Sequence, residues 1–130
     1  MEPFSLGLAT IEINDLRMQC FIGVNEDEML HKQDILISMT LLYDGSQAIA
    51  DSDVDGGVDY DAVVSAILPC VEEGRFAVLE RLVHEVLSKV MTFNAVRFAR
   101  VRVERLLALR HVRSVGVTLT AWRTQPELCA

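Results

Sequence analysis

The side chains of this 130-residue chain best suited to chemistry are carboxylates, a tyrosine and arginines, and they fall at the ends of predicted elements. Glu28 sits in a loop after Phe21-Ile22-Gly23-Val24, and Tyr60 opens a predicted helix. Glu80 lies in the first turn of a second helix, within Arg75-Phe76-Ala77-Val78-Leu79-Glu80-Arg81. The helix dipole favours a glutamate there, and one reading is that it does no more than that. Its apolar flanks also predict partial burial, and a buried carboxylate requires donors. If no arginine supplies them, a ligand presenting two parallel N–H groups would. Glu28 is equally readable as a solvated loop acid, and Tyr60 as an aromatic packed at an interface.

Other chemistries find little support. His31, His84 and His111 stand far apart, whereas a catalytic zinc needs three convergent ligands, so no metal is expected. There is no G-x-S-x-G and no recognisable cysteine-nucleophile signature. Gly56-Gly57 stands alone after acids, so no phosphate-cradling glycine loop is present. Six arginines (Arg97, Arg100, Arg102, Arg105, Arg110 and Arg113) crowd 17 residues, opposed only by Glu104. They read either as a solvated strand pair whose arginines offset acidic neighbours, or as a local anion site.

These groups need a frame. From Thr10 to Val24 the apolar residues alternate, with a break at Asn14-Asp15 that predicts a bulge or turn. Gln33–Tyr43 reads as a second strand, with Ile35, Ile37, Met39 and Leu41 on one face and Leu36, Ser38, Thr40 and Leu42 on the other. It is apolar enough on both faces to be covered on both. Ala48 to Gly57 forms an acidic connection, and Asp59 then caps a helix running to about Glu73. Pro69 inside that helix predicts a kink or an early end. A second helix runs from Val78 to about Phe93, and strands follow near Val96–Glu104 and Val112–Trp122. The order β-β-α-α-β-β predicts an α+β fold in which two helices cover one face of a four-stranded antiparallel sheet. The other face, carrying Leu36 and Leu42, would stay apolar and exposed, which predicts a homo-oligomer.

The length suits one domain, with a core over about residues 9–123 and a tail over 124–130. Hydrophobic residues at 51% allow a buried core. Net charge is −7, but residues 1–61 carry 13 acids against two bases, and residues 62–130 carry six acids against ten bases. The acidic total argues against nucleic acid as a partner. No apolar run is long enough to cross a bilayer. The start lacks a signal core, and Cys20, Cys70 and Cys129 are odd in number and widely spaced. A reducing cytoplasm is therefore expected.

Five segments together resemble the dihydroneopterin aldolase family, most closely its dihydroneopterin triphosphate 2′-epimerase subgroup. They are Phe21-Ile22-Gly23-Val24-Asn25-Glu26-Asp27-Glu28, Lys32-Gln33-Asp34-Ile35, Val58-Asp59-Tyr60, Arg75-Phe76-Ala77-Val78-Leu79-Glu80 and Leu106-Leu107-Ala108-Leu109-Arg110. Each is short, but their order and spacing are specific. The resemblance implies the tunnelling fold, in which four subunits join their sheets into a barrel and two rings can stack, with active sites between neighbouring subunits. It also implies a dihydropterin substrate and retro-aldol chemistry without metal, cofactor or Schiff base.

By the same resemblance, Glu80 anchors the pterin through its 2-amino and N3 hydrogens, assisted by Leu79. Tyr60 from a neighbouring subunit contacts the pterin and carries protons, Val58 also binds the substrate, and Glu28 lies near the hydroxylated side chain. Arg105 stands where the family has a lysine, and Leu107 where the epimerase subgroup usually has a histidine. Arginine stays protonated at any working pH and is a poor proton shuttle. Arg105, Arg110 and Arg113 suit a phosphorylated side chain, which favours 2′-epimerisation to the monapterin form. The alternatives are a plain aldolase of folate biosynthesis, releasing glycolaldehyde and 6-hydroxymethyl-dihydropterin, and a catalytically impaired pterin-binding paralogue.

Overall fold

A computed structural model describes residues 3–52 and 56–124. In chain order the elements are β1 (Ala9–Ile22), α1 (Glu26–Leu30), β2 (Gln33–Tyr43), α2 (Ser46–Asp51), α3 (Tyr60–Glu72), β3 (Arg75–Phe76), α4 (Leu79–Val90), β4 (Val96–Leu109) and β5 (Val112–Trp122). The sheet order is β3-β1-β2-β4-β5, antiparallel except that β3 lies parallel to β1. The predicted order therefore holds, with three short additions: α1, α2 and a fifth strand of two residues. None of the three is long enough to show a period in sequence.

Alternation in β2 sets the core. Ile35, Ile37, Met39 and Leu41 are almost wholly buried beneath Val63, Ile67 and Val71 of α3 and Leu82, Val83, Val86 and Val90 of α4. Val96, Ala99, Val101 and Val103 of β4 complete the layer. Burying such a side chain contributes roughly 1.5–3 kcal/mol, which is why the periodic stripes decide the architecture. Asp59 caps α3, accepting hydrogen bonds from the Asp61 and Ala62 amides at 3.0 and 3.3 Å. Pro69 does not end α3, which continues to Glu72. Its missing N–H falls in the last turn, where the loss is one bond, and its carbonyl accepts from the Glu73 amide at 3.0 Å.

Two irregularities steer the strands. In β1 the register with β2 shifts between Ile13 and Leu16, where Asp15 adopts φ 57° and its amide donates to Ser38 Oγ at 3.1 Å. The break at Asn14-Asp15 is thus a bulge inside one strand. β4 runs five residues beyond its predicted end, through a second bulge between Leu106 and Leu109 in which Leu107 has φ 55°.

The uncovered sheet face departs from expectation. Leu36 and Leu42 are half-buried and alternate with Ser38 and Thr40, which pair with Arg102 and Arg100 of β4. That face is mixed rather than apolar, because β4 and β5 fill it with arginines and threonines. Exposed apolar side chains gather elsewhere: Leu107, Leu109, Val112 and Val115 at the β4–β5 hairpin, and Phe4, Leu6 and Ile49 near the N-terminal segment. Among the described residues, no helix is long and apolar enough to cross a membrane. The proposed tail lies outside the described residues from position 125 onward, as does Cys129.

Candidate active site

The chain between β1 and β2 builds the first wall of the site. Glu28 is not in a loop, as the sequence suggested, but at the third position of α1, where it closes a capping box. Its amide donates to Asn25 Oδ1 at 2.8 Å, and the Asn25 amide donates back to Glu28 Oε1 at 3.4 Å. A five-residue helix has little stability alone, so the box fixes where the carboxylate points. Gly23 makes room for it. A Cβ there would come within 3.0 Å of the Glu28 carboxyl group, and Gly23 has φ +111°, a backbone state side chains disfavour.

Arg105, near the end of β4, reaches across this wall. Its Nη1 donates to Glu28 Oε2, and its Nη2 donates to Gln33 Oε1 at 3.2 Å. Glu28 and Arg105 side chains are 15% and 19% exposed, so the glutamate is a mostly enclosed partner of arginine and not a solvated acid. The Arg105 hydrogen bond, helped by the Asn25 and Val24 amides, holds the Glu28 carboxyl below its ordinary pKa. Gln33 donates its own Nε2 to the His31 carbonyl at 2.7 Å. Gln33 and Gly23 belonged to recognised segments, but nothing in sequence marked them as supports of Glu28 and Arg105. Their signal is geometric.

Glu80 enters from the other side, in the first turn of α4. It makes no ion pair among the described residues; Arg81 is taken instead by Glu85, at 2.6 Å. The partial burial predicted for Glu80 is absent in the single chain, where it is exposed. Apolar flanks do not bury a residue at a helix start that faces a cleft. That cleft, of about 540 Å³, is lined by Glu28, Arg105, Leu79, Glu80, Gly23 and the hairpin residues Ala108 and Leu109, among others. The β4 bulge places Ala108 and Leu109 in this wall and leaves Leu107 82% exposed.

The remaining candidates lie apart. Tyr60 and Val58 line a separate hollow with Ile11, Tyr43 and Gly57, and the Tyr60 side is open, with 64% of the residue exposed. Arg110 sits exposed at the β4–β5 turn and lines neither hollow. Arg113 is exposed beyond it. A single chain thus unites four of the candidates, Glu28, Leu79, Glu80 and Arg105, and leaves Val58, Tyr60 and Arg110 outside. Among the described residues no group of histidine, cysteine and carboxylate side chains is arranged to hold a metal.

The architecture is an α+β domain, a sheet covered by two long helices, whose cleft opposes a helix-start carboxylate, without an ion pair among the described residues, to an arginine-bound one. Comparison with known proteins gives this class its family. The dihydroneopterin aldolase family profile matches residues 11–120, and the chain belongs to that family. It is 44% identical over 123 residues to the dihydroneopterin triphosphate 2′-epimerase of Pseudomonas aeruginosa, covering 95% of this chain and 98% of that protein. It is 37% identical over 112 residues to the enzyme of the same name from Escherichia coli K12, covering 86% and 93%. A Vibrio cholerae crystal structure assigned to dihydroneopterin aldolase superposes with a TM-score of 0.84 at 31% identity, over 91% of this chain and all of that one.

Proposed function

We propose that the chain acts on the side chain of a dihydropterin, chiefly as a 2′-epimerase of dihydroneopterin triphosphate. One observation carries the reading: Glu80, free of any cationic partner among the described residues, shares a cleft with Glu28, which Arg105 holds ionised. Glu80 accepts the two adjacent N–H groups of the amino-pyrimidine edge, each charge-assisted bond contributing roughly 1.5–3 kcal/mol. The Leu79 backbone lies beside it. Glu28 meets the hydroxylated side chain at the opposite end. The names of the P. aeruginosa and E. coli relatives support the same substrate class.

The chemistry follows from these positions. Protonation at N5 makes the ring an electron sink, and loss of the 2′-hydroxyl proton breaks the bond between the first and second side-chain carbons. Cleavage then needs a proton delivered to the first carbon, whereas epimerisation needs only that the retained aldehyde turn and re-add. Arg105 is fixed by Glu28 and Gln33, and a guanidinium is a poor proton shuttle. It orients but does not donate, so re-addition outruns release. Tyr60 and Val58 join this site from a neighbouring copy in a homo-oligomeric barrel of four or eight chains, which accounts for their distance from Glu80 within one chain. Arg110 at the hairpin tip reaches a phosphate carried by the side chain.

Purified protein incubated with dihydroneopterin and with its triphosphate, followed by separation of products, tests the reading. The expected product is mainly the 2′-epimer, with little glycolaldehyde or, from the triphosphate, little of its triphosphate ester. Predominant glycolaldehyde makes the chain a plain aldolase, and no turnover with retained pterin binding makes it a binding paralogue. Glu80→Gln should weaken pterin binding at least tenfold. Unchanged affinity would remove Glu80 from the anchor role.

A further inference from the structure

Beside the cleft lies a second, smaller cavity of about 200 Å³, lined by Phe21, Met29, Arg75 and Phe76 and sharing Gly23, Val24 and Ala77 with the cleft wall. The Arg75 guanidinium carbon sits 4.0 Å from the centroid of the Phe21 ring, and Lys32 Nζ sits 5.7 Å from the same centroid. Stacking on an aromatic face lowers the energy of each cation but neutralises neither. Arg75 spends one donor on the Met29 carbonyl at 3.2 Å and makes no ion pair among the described residues. Lys32 shares a shallow hollow with Asp34 and Glu72 and pairs with neither carboxylate; Asp34 is held by Arg17 at 3.6 Å.

Two unneutralised cations on one ring are unexpected in a chain of net charge −7. They repel each other unless an anion lies between them. Arg75 lines the smaller cavity together with Gly23, and the Glu28 carboxylate is packed on the Cα side of that glycine. Among its described lining residues the cleft offers no free cation, since its arginine is committed to Glu28.

We propose that Lys32 and Arg75, held on Phe21, form the subsite that receives the phosphate chain of a phosphorylated dihydropterin as it leaves the Glu28 end of the cleft. The assignment rests on the dihydropterin reading given above and adds, beyond Arg110, a second group that favours the phosphorylated substrate. Arg75 supplies a planar fork of donors and Lys32 a mobile point charge, a combination suited to successive phosphates.

The test compares kcat/KM for dihydroneopterin and its triphosphate in the wild type, Lys32→Gln and Arg75→Met, with inorganic triphosphate binding measured by calorimetry on the same assembled proteins. Each variant should lose about tenfold in kcat/KM for the triphosphate, through KM, and keep its value for the unphosphorylated substrate within about twofold. Raising ionic strength should raise the wild-type KM for the triphosphate and leave the Lys32→Gln value flatter. Inorganic triphosphate should bind the wild type and bind Lys32→Gln about tenfold more weakly. Equal losses on both substrates would mean that the pair only supports the fold, and would overturn the assignment, as would unchanged triphosphate kinetics and binding. If neither pterin turns over while inorganic triphosphate still binds through Lys32, the enzymatic reading fails and the anion subsite stands.

Discussion

Replacing Gly23 by alanine tests the central geometric claim, that a backbone without a side chain is what lets Glu28 meet Arg105. Two terms act together. The backbone at φ +111° becomes strained for any residue with a Cβ, at about 1–3 kcal/mol. The new methyl would occupy the Glu28 carboxyl position, forcing it off Arg105. That ion pair is mostly enclosed, so its loss adds roughly 1–2 kcal/mol, between exposed and buried pairs. The sum of about 2–5 kcal/mol should lower the melting temperature by about 10 °C or more in a domain of this length. Scanning calorimetry at fixed protein concentration would show it, and turnover should fall with it. The two terms can be separated, because Glu28→Ala in the Gly23→Ala background removes the clash and leaves the strain. The double variant should therefore melt higher than the summed single losses predict. Strict additivity, or a Gly23→Ala protein melting within about 2 °C of wild type, would refute the reasoning.

Acid sensitivity follows from the same pair. The folded pKa of Glu28 lies below the ordinary 4.5, so its stabilisation is present above about pH 4.5 and disappears as pH falls through the folded value. Glu28→Gln should flatten the decline of melting temperature on acidification, but only in part, because Arg102 lowers Glu104 in the same direction. Among the thiols, burial pushes Cys20 up to about 11 and raises the half-buried Cys70 less. Native protein treated with iodoacetamide near pH 8 should carry label on Cys70 well before Cys20, and mass spectrometry of the peptides would show the order. Arg105→Lys exchanges a two-pronged donor for a titratable point charge and frees Gln33. It should raise the share of glycolaldehyde among the products and add a basic limb to the pH–rate profile, and an unchanged product ratio would exclude position 105 from proton handling.

Long periodic segments were legible in the sequence, and short or bent ones were not. β2 was readable from Gln33 to Tyr43 because its alternation is uninterrupted, and α4 because its stripe repeats over twelve residues. α1 escaped because five polar and apolar residues without a stripe look like a loop, although Asn25 and Glu28 carry the spacing of a capping box. The end of β4 escaped because its bulge breaks the period after Arg105. The uncovered face is not legible for a different reason. Leu36 and Leu42 belong to β2 alone, while the character of a sheet face depends on which residues β4 and β5 bring beside it, and register is not written in any one strand. Glu28, Tyr60, Glu80 and the arginines stood out by residue type and position, their roles came from a resemblance in five short segments, and the supports Gly23 and Gln33 came only from distances.

The site depends on that register more than on any single contact. Arg105 lies opposite Ile35 in the β2–β4 ladder, and Glu28 meets it from 77 residues away in the chain. Sliding β4 by one position against β2 would turn Arg105 to the uncovered face and put Glu104 against Glu28, exchanging attraction for repulsion. It would also expel Val101 and Val103 from the core, where both are fully buried. Core packing and site electrostatics thus select the same alignment. This also explains how a chain so lopsided in charge tolerates its arginine-rich strand: one β4 arginine is spent on a carboxylate from the acidic half, and the hydrophobic alternation beneath it fixes which one.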